Sequence, residues 1–337
     1  MSSIATILIL GAGNFGTCLA CHLGNLGHAV LIWTRSQATV AAINEEHRND
    51  RYLTDIQLPT NVRATSDISD ALAASDILLL AVPTQALRSV LPQVRNHIKP
   101  DTLIVSTLKG VELDSGLLPQ QIVADVLAAE HAQRMITLSG PSFAAEIAAK
   151  QPSCVSIAGR NPDDLNYVQE VFHSPKLRIY TSDDPIGLEV AGAYKNVIAI
   201  AAGASAGAGF GENSAASLIT RGLAEMVRFG VACGADPMTF LGLGGVGDLF
   251  LTCSSKQSRN FRVGFGLGRG HSLADTLAGI DSVAEGVATS KSIYMLAQQR
   301  GISSPIAEAV YLVLHQGLPI TQAIDDLLNR EAKSELE

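Results

Sequence analysis

The 337-residue sequence is poor in aromatic residues and in positive charge. Its 24 lysines and arginines are outnumbered by 32 aspartates and glutamates, which gives a formal net charge of −8 at pH 7. This balance argues against a general nucleic-acid-binding protein, although local basic groups still permit a small anionic substrate. With 47% hydrophobic residues the composition is that of a folded protein, and the length is typical of two domains.

Cysteine is also scarce, and the five residues stand at positions 18, 21, 154, 233 and 253. An odd, scattered set is typical of a reducing compartment, so we expect a cytoplasmic protein. Cys18 and Cys21 form a CxxC pair without a second pair or a histidine cluster. We interpret them as small core residues and predict no metal site. The sequence lacks a signal-peptide pattern and any charge-free run long enough for a bilayer, so we expect no stable membrane association.

The apolar pattern divides the chain into two parts. In the first part, short β-rich runs alternate with amphipathic helical stretches, and these runs cover residues 5–10, 29–33, 76–82, 102–106, 135–138 and 154–158. This alternation is typical of a mostly parallel, doubly wound sheet with helices on both faces. We therefore predict an α/β domain over residues 1–184.

The second part reads as helices only. The helical runs cover residues 186–206, 215–233, 237–242, 258–267, 272–279, 286–300, 305–315 and 319–330. Acidic residues and Pro185 mark the beginning of the first run, as is typical of a helix start. We therefore predict an all-α C-terminal domain over residues 185–337. Ligands of doubly wound sheets bind at the carboxyl ends of the strands, so we expect the second domain to contribute to substrate binding.

The string GAGNFG, residues 11–16, matches GxGxxG. Alone it is a weak signal in a chain with 30 glycines, but here it follows a predicted strand and precedes a helix that starts near Asn14. In that setting Gly11 permits the turn, Gly13 lets a pyrophosphate approach the backbone and Gly16 permits close packing of helix and strand. The first domain is therefore predicted to be Rossmann-like and to bind a dinucleotide.

The second predicted strand ends in WTRS, which places Arg35 where NAD-binding proteins usually carry an acid. A cation suits a 2′-phosphate better than a ribose 2′-hydroxyl. We therefore predict that NADP(H) is preferred, with NAD(H) as the alternative cofactor. A solvated surface arginine remains the other interpretation.

Two candidate anion-binding features follow later strands. Lys109 stands just past the fourth predicted strand. In LSGPSFAAE, residues 138–146, Pro141 fits the first position of a helix, and Ser139 or Ser142 is a candidate cap. Free N–H groups at a helix start bind anions, so together these features favour an anionic-substrate site. Singly, each is also explained as a capped loop.

The helical part adds polar groups of its own. Asp248 lies between a glycine turn and an apolar stretch, so it is a candidate buried anion. Ser258, Arg259 and Asn260 stand together at a predicted helix start, and the planar guanidinium suits phosphate because it donates two parallel hydrogen bonds. Alone, this segment is equally an N-capped helix with a surface arginine.

The segment GAYKNVIAIAAG, residues 192–203, places one lysine among small and apolar residues. On a helix, the residues three, four and seven positions from Lys195 are alanine, glycine and isoleucine, and none pairs with an ammonium. A buried lysine snorkels, finds a distant anion or shifts its pKa. We favour the last two together, with Asp248 as the anion; a purely structural pairing of the two side chains is the alternative.

Taken together, these strings resemble the bacterial type of NAD(P)-dependent sn-glycerol-3-phosphate dehydrogenase almost from end to end. The matching strings are GAGNFG, LKG, GPSFA, AYKNVIAIAAG, GFGENS, LITRGLAEM, GVGDL with LTC, QSRN and VAEG. The resemblance implies reversible reduction of dihydroxyacetone phosphate to sn-glycerol 3-phosphate by NAD(P)H, which supplies glycerophospholipid synthesis. Another two-domain dehydrogenase acting on a hydroxy acid or sugar acid, or a non-catalytic NAD(P)-binding sensor, are the competing functions.

The same resemblance implies residue roles. Lys195 is implied as the general acid/base, and Lys109 is implied to lie beside the substrate. As a mechanistic hypothesis of our own, we expect Lys109 to lower the pKa of Lys195 and Asp248 to orient its ammonium. Implied substrate contacts are Lys109, Gly140, Ser142, Lys195, Asp248, Ser258, Arg259 and Asn260. Implied cofactor contacts, beside the three glycines of the GxGxxG motif, are Asn14, Phe15, Arg35, Lys109, Ala144, Arg259, Val283 and Glu285. We expect a phosphorylated small molecule as substrate and no nucleic-acid partner, and a homodimer stays open.

Overall fold

A computed structural model describes residues 4–73, 75–280, 283–332, 334 and 335 of the chain. The chain forms two compact units. The first consists of Met1–Leu108 and Pro119–Pro185, and the second of Lys109–Leu118 and Ile186–Glu337. The short segment 109–118 thus packs with the second unit. The predicted division between residues 184 and 185 instead assigns this segment to the first domain.

The first unit is built on one sheet. Within the described residues the sheet has eight strands: β1 (Thr6–Leu10), β2 (Ala29–Trp33), β3 (Val62–Thr65), β4 (Ile77–Leu80), β5 (Leu103–Ser106), β6 (Ile136–Ser139), β7 (Ser153–Ala158) and β8 (Leu177–Ser182). Their order is β3-β2-β1-β4-β5-β6-β7-β8, and every neighbouring pair is parallel except β6–β7. The predicted mostly parallel, doubly wound α/β class is confirmed.

Helices connect these strands. They are α1 (Asn14–Asn25), α2 (Gln37–Glu46), α3 (Ser69–Ala73), α4 (Thr84–Arg95), α5 (Pro119–Val126), α6 (Ala129–Gln133), α7 (Ala144–Ala148) and α8 (Pro162–Phe172). The central strands β1 and β4 are buried almost throughout, because helices cover a parallel sheet on both faces. The strand order reverses between β1 and β4, and ligands of such sheets bind at the carboxyl ends of the strands beside that point.

The second unit is helical, as predicted. Its elements are α9 (Pro185–Gly207), α10 (Glu212–Ala232), a 3₁₀ turn (Pro237–Leu241), a π-helical turn (Leu243–Gly247), α11 (Asp248–Ser254), α12 (Arg259–Gly268), α13 (Leu273–Ala278), α14 (Glu285–Arg300), α15 (Pro305–Gln316) and α16 (Ile320–Leu328). Among the described residues, no helix is long and apolar enough to cross a membrane.

Glycines let α9 and α12 pack backbone against backbone. A Cβ atom added to Gly264 on α12 would lie 1.9 Å from the carbonyl oxygen of Ile200 on α9, and one added to Gly203 would lie 2.0 Å from that of Phe261. No side chain fits at these distances. This contact brings α12, with the segment 258–260 at its beginning, close to the helix that carries Lys195.

One local prediction is wrong. The helix after β6 begins at Ala144, with Phe143 as N-cap, and not at Pro141. Gly140 turns the chain with φ +140°, and the Ser142 hydroxyl donates to the Gly140 carbonyl at 2.8 Å instead of capping a helix. Ser139 is the last residue of β6. The hydroxyl and the proline therefore belong to the turn, which delays the helix by three residues.

Candidate active site

Lys195 lies on α9 with its side chain buried. Its Nζ donates to Oδ1 of Asp248 at 3.0 Å and to Oγ1 of Thr252 at 2.7 Å. Both partners stand on α11, one helical turn apart, which places them on the same face of that helix. The buried ammonium therefore has the distant anion that its apolar surroundings predict.

Asp248 binds a second ammonium as well. Nζ of Lys109 lies 2.7 Å from Oδ2 of Asp248, so each carboxylate oxygen contacts one lysine. The Asp248 side chain is 2% exposed, whereas that of Lys109 is 17% exposed. The cluster of two ammonium groups and one carboxylate carries one net positive charge, and Lys109 is its more accessible member.

The pKa values follow from burial and from these charges. Burial lowers the pKa of Lys195, Asp248 raises it and Lys109 lowers it, with a result of about 8. Burial raises the pKa of Asp248, but the two ammonium groups outweigh that effect and hold its pKa below the ordinary value. Burial also raises the pKa of the neighbouring Cys253 to about 12, so this thiol is neutral near pH 7. Lys195 thus exchanges a proton near neutral pH, while Asp248 stays ionised.

Hydrogen bonds from side chains to main-chain carbonyl oxygens hold the cluster together. Nδ2 of Asn196 donates to the carbonyl oxygen of Lys109 at 2.8 Å, and the Ser292 hydroxyl donates to that of Val111 at 3.2 Å. The Thr252 hydroxyl donates to the carbonyl oxygen of Asp248 at 2.6 Å, so its lone pairs face Lys195. Asn196 and Thr252 are polar groups that the sequence analysis does not predict. The only signals were the position next to Lys195 and the i, i+4 spacing from Asp248.

The segment 258–260 lies at the beginning of α12, as predicted. The Ser258 hydroxyl accepts from the N–H of Phe261 and caps the helix. One guanidinium nitrogen of Arg259 donates to the carbonyl oxygen of Val283 at 2.9 Å, and Oδ1 of Asn260 accepts from the N–H of Gly286 at 3.0 Å. These contacts join the segment to Val283, just before α14, and to Gly286 in the first turn of that helix.

That first turn also reaches α9. A Cβ atom added to Gly286 would lie 2.7 Å from the carbonyl oxygen of Asn196 and 2.8 Å from Oδ1 of Asn260. Asn260 is therefore close to the residue that follows Lys195. The second unit accordingly brings together eight predicted residues, which are Lys109, Lys195, Asp248, Ser258, Arg259, Asn260, Val283 and Glu285.

The first unit holds the glycine motif between β1 and α1. Gly11 has φ +118°, and a Cβ atom there would lie 2.7 Å from the carbonyl oxygen of Ala81; at Gly16 it would lie 2.1 Å from that of Gly11. At Gly13, by contrast, the space is open. Gly13 caps α1 by its backbone, and the uncharged first turn begins with Asn14 and Phe15. A tight, uncharged helix start with open space before it fits the pyrophosphate of a dinucleotide.

The other predicted residues of the first unit follow strand ends. Arg35 is exposed after β2, next to Ser36, whose hydroxyl caps α2. Gly140 and Ser142 form the turn after β6, and Ala144 begins α7. Cys18 and Cys21 are buried in the core on α1. Across the part of the chain that the structure describes, no group of three or more His, Cys, Asp or Glu side chains forms a candidate metal site.

Family models match nearly the whole chain. The N-terminal model of NAD-dependent glycerol-3-phosphate dehydrogenase matches residues 6–164, and the C-terminal model matches residues 184–325. The chain belongs to the NAD-dependent glycerol-3-phosphate dehydrogenase family. The resemblance found in its motifs is thereby confirmed.

Individual relatives agree with the family. The glycerol-3-phosphate dehydrogenase (NAD(P)+) of Enterococcus faecalis is 44% identical over 98% of this chain and 97% of its own. The glycerol-3-phosphate dehydrogenase (NAD(P)+) of Staphylococcus haemolyticus is 42% identical over 98% of this chain and 99% of its own. The crystal structure of glycerol-3-phosphate dehydrogenase from Coxiella burnetii is 36% identical, covers 97% of this chain and 99% of its own, and superposes with a TM-score of 0.92.

Proposed function

We propose that the chain reduces dihydroxyacetone phosphate to sn-glycerol 3-phosphate, reversibly, with NAD(P)H, and that Lys195 exchanges the proton. The observation that carries the proposal is the carboxylate of Asp248 shared between Lys109 and Lys195. Full-length relatives that are named for this activity support it. In the cell the product supplies glycerophospholipid synthesis.

Reduction of a ketone needs a hydride at the carbonyl carbon and a proton at the oxygen. Bound NAD(P)H supplies the hydride. The Lys195 ammonium donates to the carbonyl oxygen, stabilises the developing alkoxide and transfers its proton. Its pKa of about 8 suits both directions, because near that pH the group is available as acid and as base. Asp248 holds the ammonium in place, and Lys109 adds the net positive charge that an alkoxide needs.

The phosphate of the substrate is held at the beginning of α12. We assign Arg259 and Asn260 to it, with Ser258 as the cap that fixes the first turn. Gly140 and Ser142 of the first unit complete the proposed substrate contacts. Binding energy at the phosphate, which does not react, then serves to position the carbonyl.

The cofactor is held by the glycine motif. Backbone N–H groups at the start of α1 bind the pyrophosphate, and Arg35 binds the 2′-phosphate of NADP(H), which is therefore the preferred cofactor. The remaining proposed contacts, carried over from the family resemblance, are Asn14, Phe15, Lys109, Ala144, Arg259, Val283 and Glu285.

Lys195→Met removes the proton donor. We expect kcat to fall roughly a hundredfold or more, the scale of losing a general acid, while cofactor binding is retained.

The rates of the parent enzyme should depend on pH. The rate of dihydroxyacetone phosphate reduction should fall as the pH rises through about 8, because Lys195 then loses its proton, and the rate of glycerol 3-phosphate oxidation should rise over the same range. Steady-state assays of nicotinamide absorbance from pH 6 to 10 measure both effects.

Lys291→Met, an exposed lysine on α14, is the matched control and should keep kcat near that of the parent. The parent, but not Lys195→Met, should also relieve the need of a glycerol-3-phosphate-auxotrophic bacterium for added glycerol 3-phosphate. A near-parent kcat in Lys195→Met would end the assignment.

Arg259→Ala removes the proposed phosphate contact. At saturating cofactor we expect KM for dihydroxyacetone phosphate to rise about tenfold or more, because a hydrogen bond to a charged group contributes roughly 1.5–3 kcal/mol. Free dihydroxyacetone should be affected less. Arg262→Ala, an exposed arginine on the same helix, is the control. An equal effect of Arg259→Ala on both substrates would refute the phosphate role.

Arg35→Ala tests cofactor preference. We expect the ratio of kcat/KM for NADPH to that for NADH to fall about tenfold, since only NADPH carries the 2′-phosphate. Arg48→Ala, an exposed arginine just after α2, should leave the ratio unchanged. An unchanged ratio in Arg35→Ala would show that this side chain does not select the cofactor.

We further propose a homodimer formed through the second unit. Met238, Leu241 and Phe250 are 66%, 58% and 62% exposed, and they stand on elements that pack against one another around the π-helical turn. Exposed apolar side chains that form one patch mark association surfaces, and we propose that these three do so. Light scattering should give twice the chain mass of 35.3 kDa. Met238→Lys should give the monomer mass and Leu328→Lys, on α16, the dimer mass; a monomeric parent would contradict the proposal.

A further inference from the structure

Asn49 is a polar residue of the first unit with a fully buried side chain, and it is not among the proposed substrate or cofactor contacts. Its Nδ2 donates to the carbonyl oxygen of Ala12 at 2.9 Å and to Oγ1 of Thr17 at 2.8 Å. Its Oδ1 accepts from the N–H groups of Arg51 and Tyr52 at 2.9 and 3.0 Å. Both amide hydrogens and both acceptor sites are therefore used, which defines the orientation of the side chain.

Two of these bonds end on the glycine motif. Ala12 stands between Gly11 and Gly13, and its carbonyl oxygen also accepts from the Thr17 hydroxyl at 3.3 Å. In a planar trans peptide, the carbonyl and the following N–H point in opposite directions. By holding the carbonyl of Ala12, Asn49 turns the N–H of Gly13 away from the protein interior, at a residue beside which a Cβ would meet open space.

The other two bonds shape the segment 49–52. This segment is also tied to the loop after β2, because the Thr39 hydroxyl lies 2.9 Å from Oδ1 of Asp50 and 3.0 Å from Oγ of Ser36. Ser36 follows Arg35 directly. The segment 49–52 therefore connects the glycine motif with the loop that carries Arg35.

The backbone around Asn49 is strained, which supports a required conformation. His47 and Leu53 both have φ +53°, in the left-handed region that non-glycine residues rarely adopt. Such conformations persist only where surrounding contacts enforce them. Asn49 lies between these two residues along the chain, as do Arg51 and Tyr52, whose N–H groups donate to its Oδ1.

We propose that Asn49 is a positioning residue for the cofactor, which sets the direction of the Gly13 N–H that receives the pyrophosphate. The inference rests on the proposed cofactor site at the glycine motif. Asn49 touches no part of the cofactor itself; it acts through Ala12. Because NADH and NADPH share the pyrophosphate, Asn49 contributes to the binding of both equally, unlike Arg35.

The test is Asn49→Asp, which keeps the shape and the acceptor for residues 51 and 52 but replaces the donor that faces Ala12 by a carboxylate oxygen. We expect Kd for NADPH and for NADH, measured by titration of nicotinamide fluorescence, to rise by the same factor, about ten- to a hundredfold. At saturating cofactor, kcat and KM for dihydroxyacetone phosphate should stay within about twofold of the parent values. The amide donor of Asn49 acts on cofactor binding only, and saturation compensates for weaker binding.

The control is Asn44→Asp. Asn44 makes the same type of contact, donating to the carbonyl oxygen of Ala64 at 2.9 Å and accepting from its N–H at 2.8 Å, but between α2 and β3. Its Kd values should match those of the parent. Thr17→Val removes the hydroxyl that is the second donor to the Ala12 carbonyl, and it should raise both Kd values by a smaller factor. It serves as the second variant if Asn49→Asp does not fold.

Three results would overturn the inference: unchanged Kd values in Asn49→Asp, or in Thr17→Val where that variant stands in; an equal rise in Asn44→Asp; or a rise for NADPH alone. The first result would show that Asn49 does not position the cofactor. The second would show that the rise in Kd comes from general destabilisation of the first unit. The third would show that Asn49 acts on the 2′-phosphate and not on the pyrophosphate. A parent protein that binds neither cofactor would instead refute the proposed function, so the two failures are distinguishable.

Discussion

A single buried carboxylate, that of Asp248, faces two ammonium groups and neutralises only one of them. Burying Lys195 alone would leave an uncompensated charge in an apolar helix, which is costly. Burying it with a carboxylate that pairs with no other cation would give a neutral ion pair, which attracts a negatively charged substrate only weakly. Sharing the carboxylate with Lys109 avoids both results. The cluster stays charged, and burial, together with the second ammonium, lowers the pKa of its innermost lysine to about 8.

The helices of the second unit are arranged around this requirement. Glycines on α9 and α12 let the two backbones meet without intervening side chains, so the helix that carries Lys195 lies close to the beginning of α12. The Asn196 amide donates a hydrogen bond to the carbonyl oxygen of Lys109, and the Thr252 hydroxyl donates one to the carbonyl oxygen of Asp248. The geometry of two charges thus depends on uncharged neighbours, whose amide and hydroxyl groups use their hydrogen bonds on backbone carbonyls.

Continuous apolar runs in the sequence predict the central strands, because parallel strands covered on both faces are apolar throughout. Such runs do not mark β3 and β8, the two edges of the sheet, where VRAT and LRIYTS alternate buried with exposed residues. The partnership of Lys195 with Asp248 is predictable, since a lysine without local partners needs a remote anion. Thr252 and Asn196 are not, because in a helical run they read as ordinary polar residues and only the packed structure shows what they face.

The segment 109–118 leaves the first unit and returns to it. Val111 and Leu118 are buried in the apolar core of the helical unit, although the strands before this segment and the helix after it belong to the first unit. The chain therefore passes between the units at three points, after residues 108, 118 and 185. No single cut separates two self-sufficient pieces. A fragment that ends at residue 184 carries apolar side chains without their core, and the complementary fragment lacks one of the two lysines that Asp248 binds.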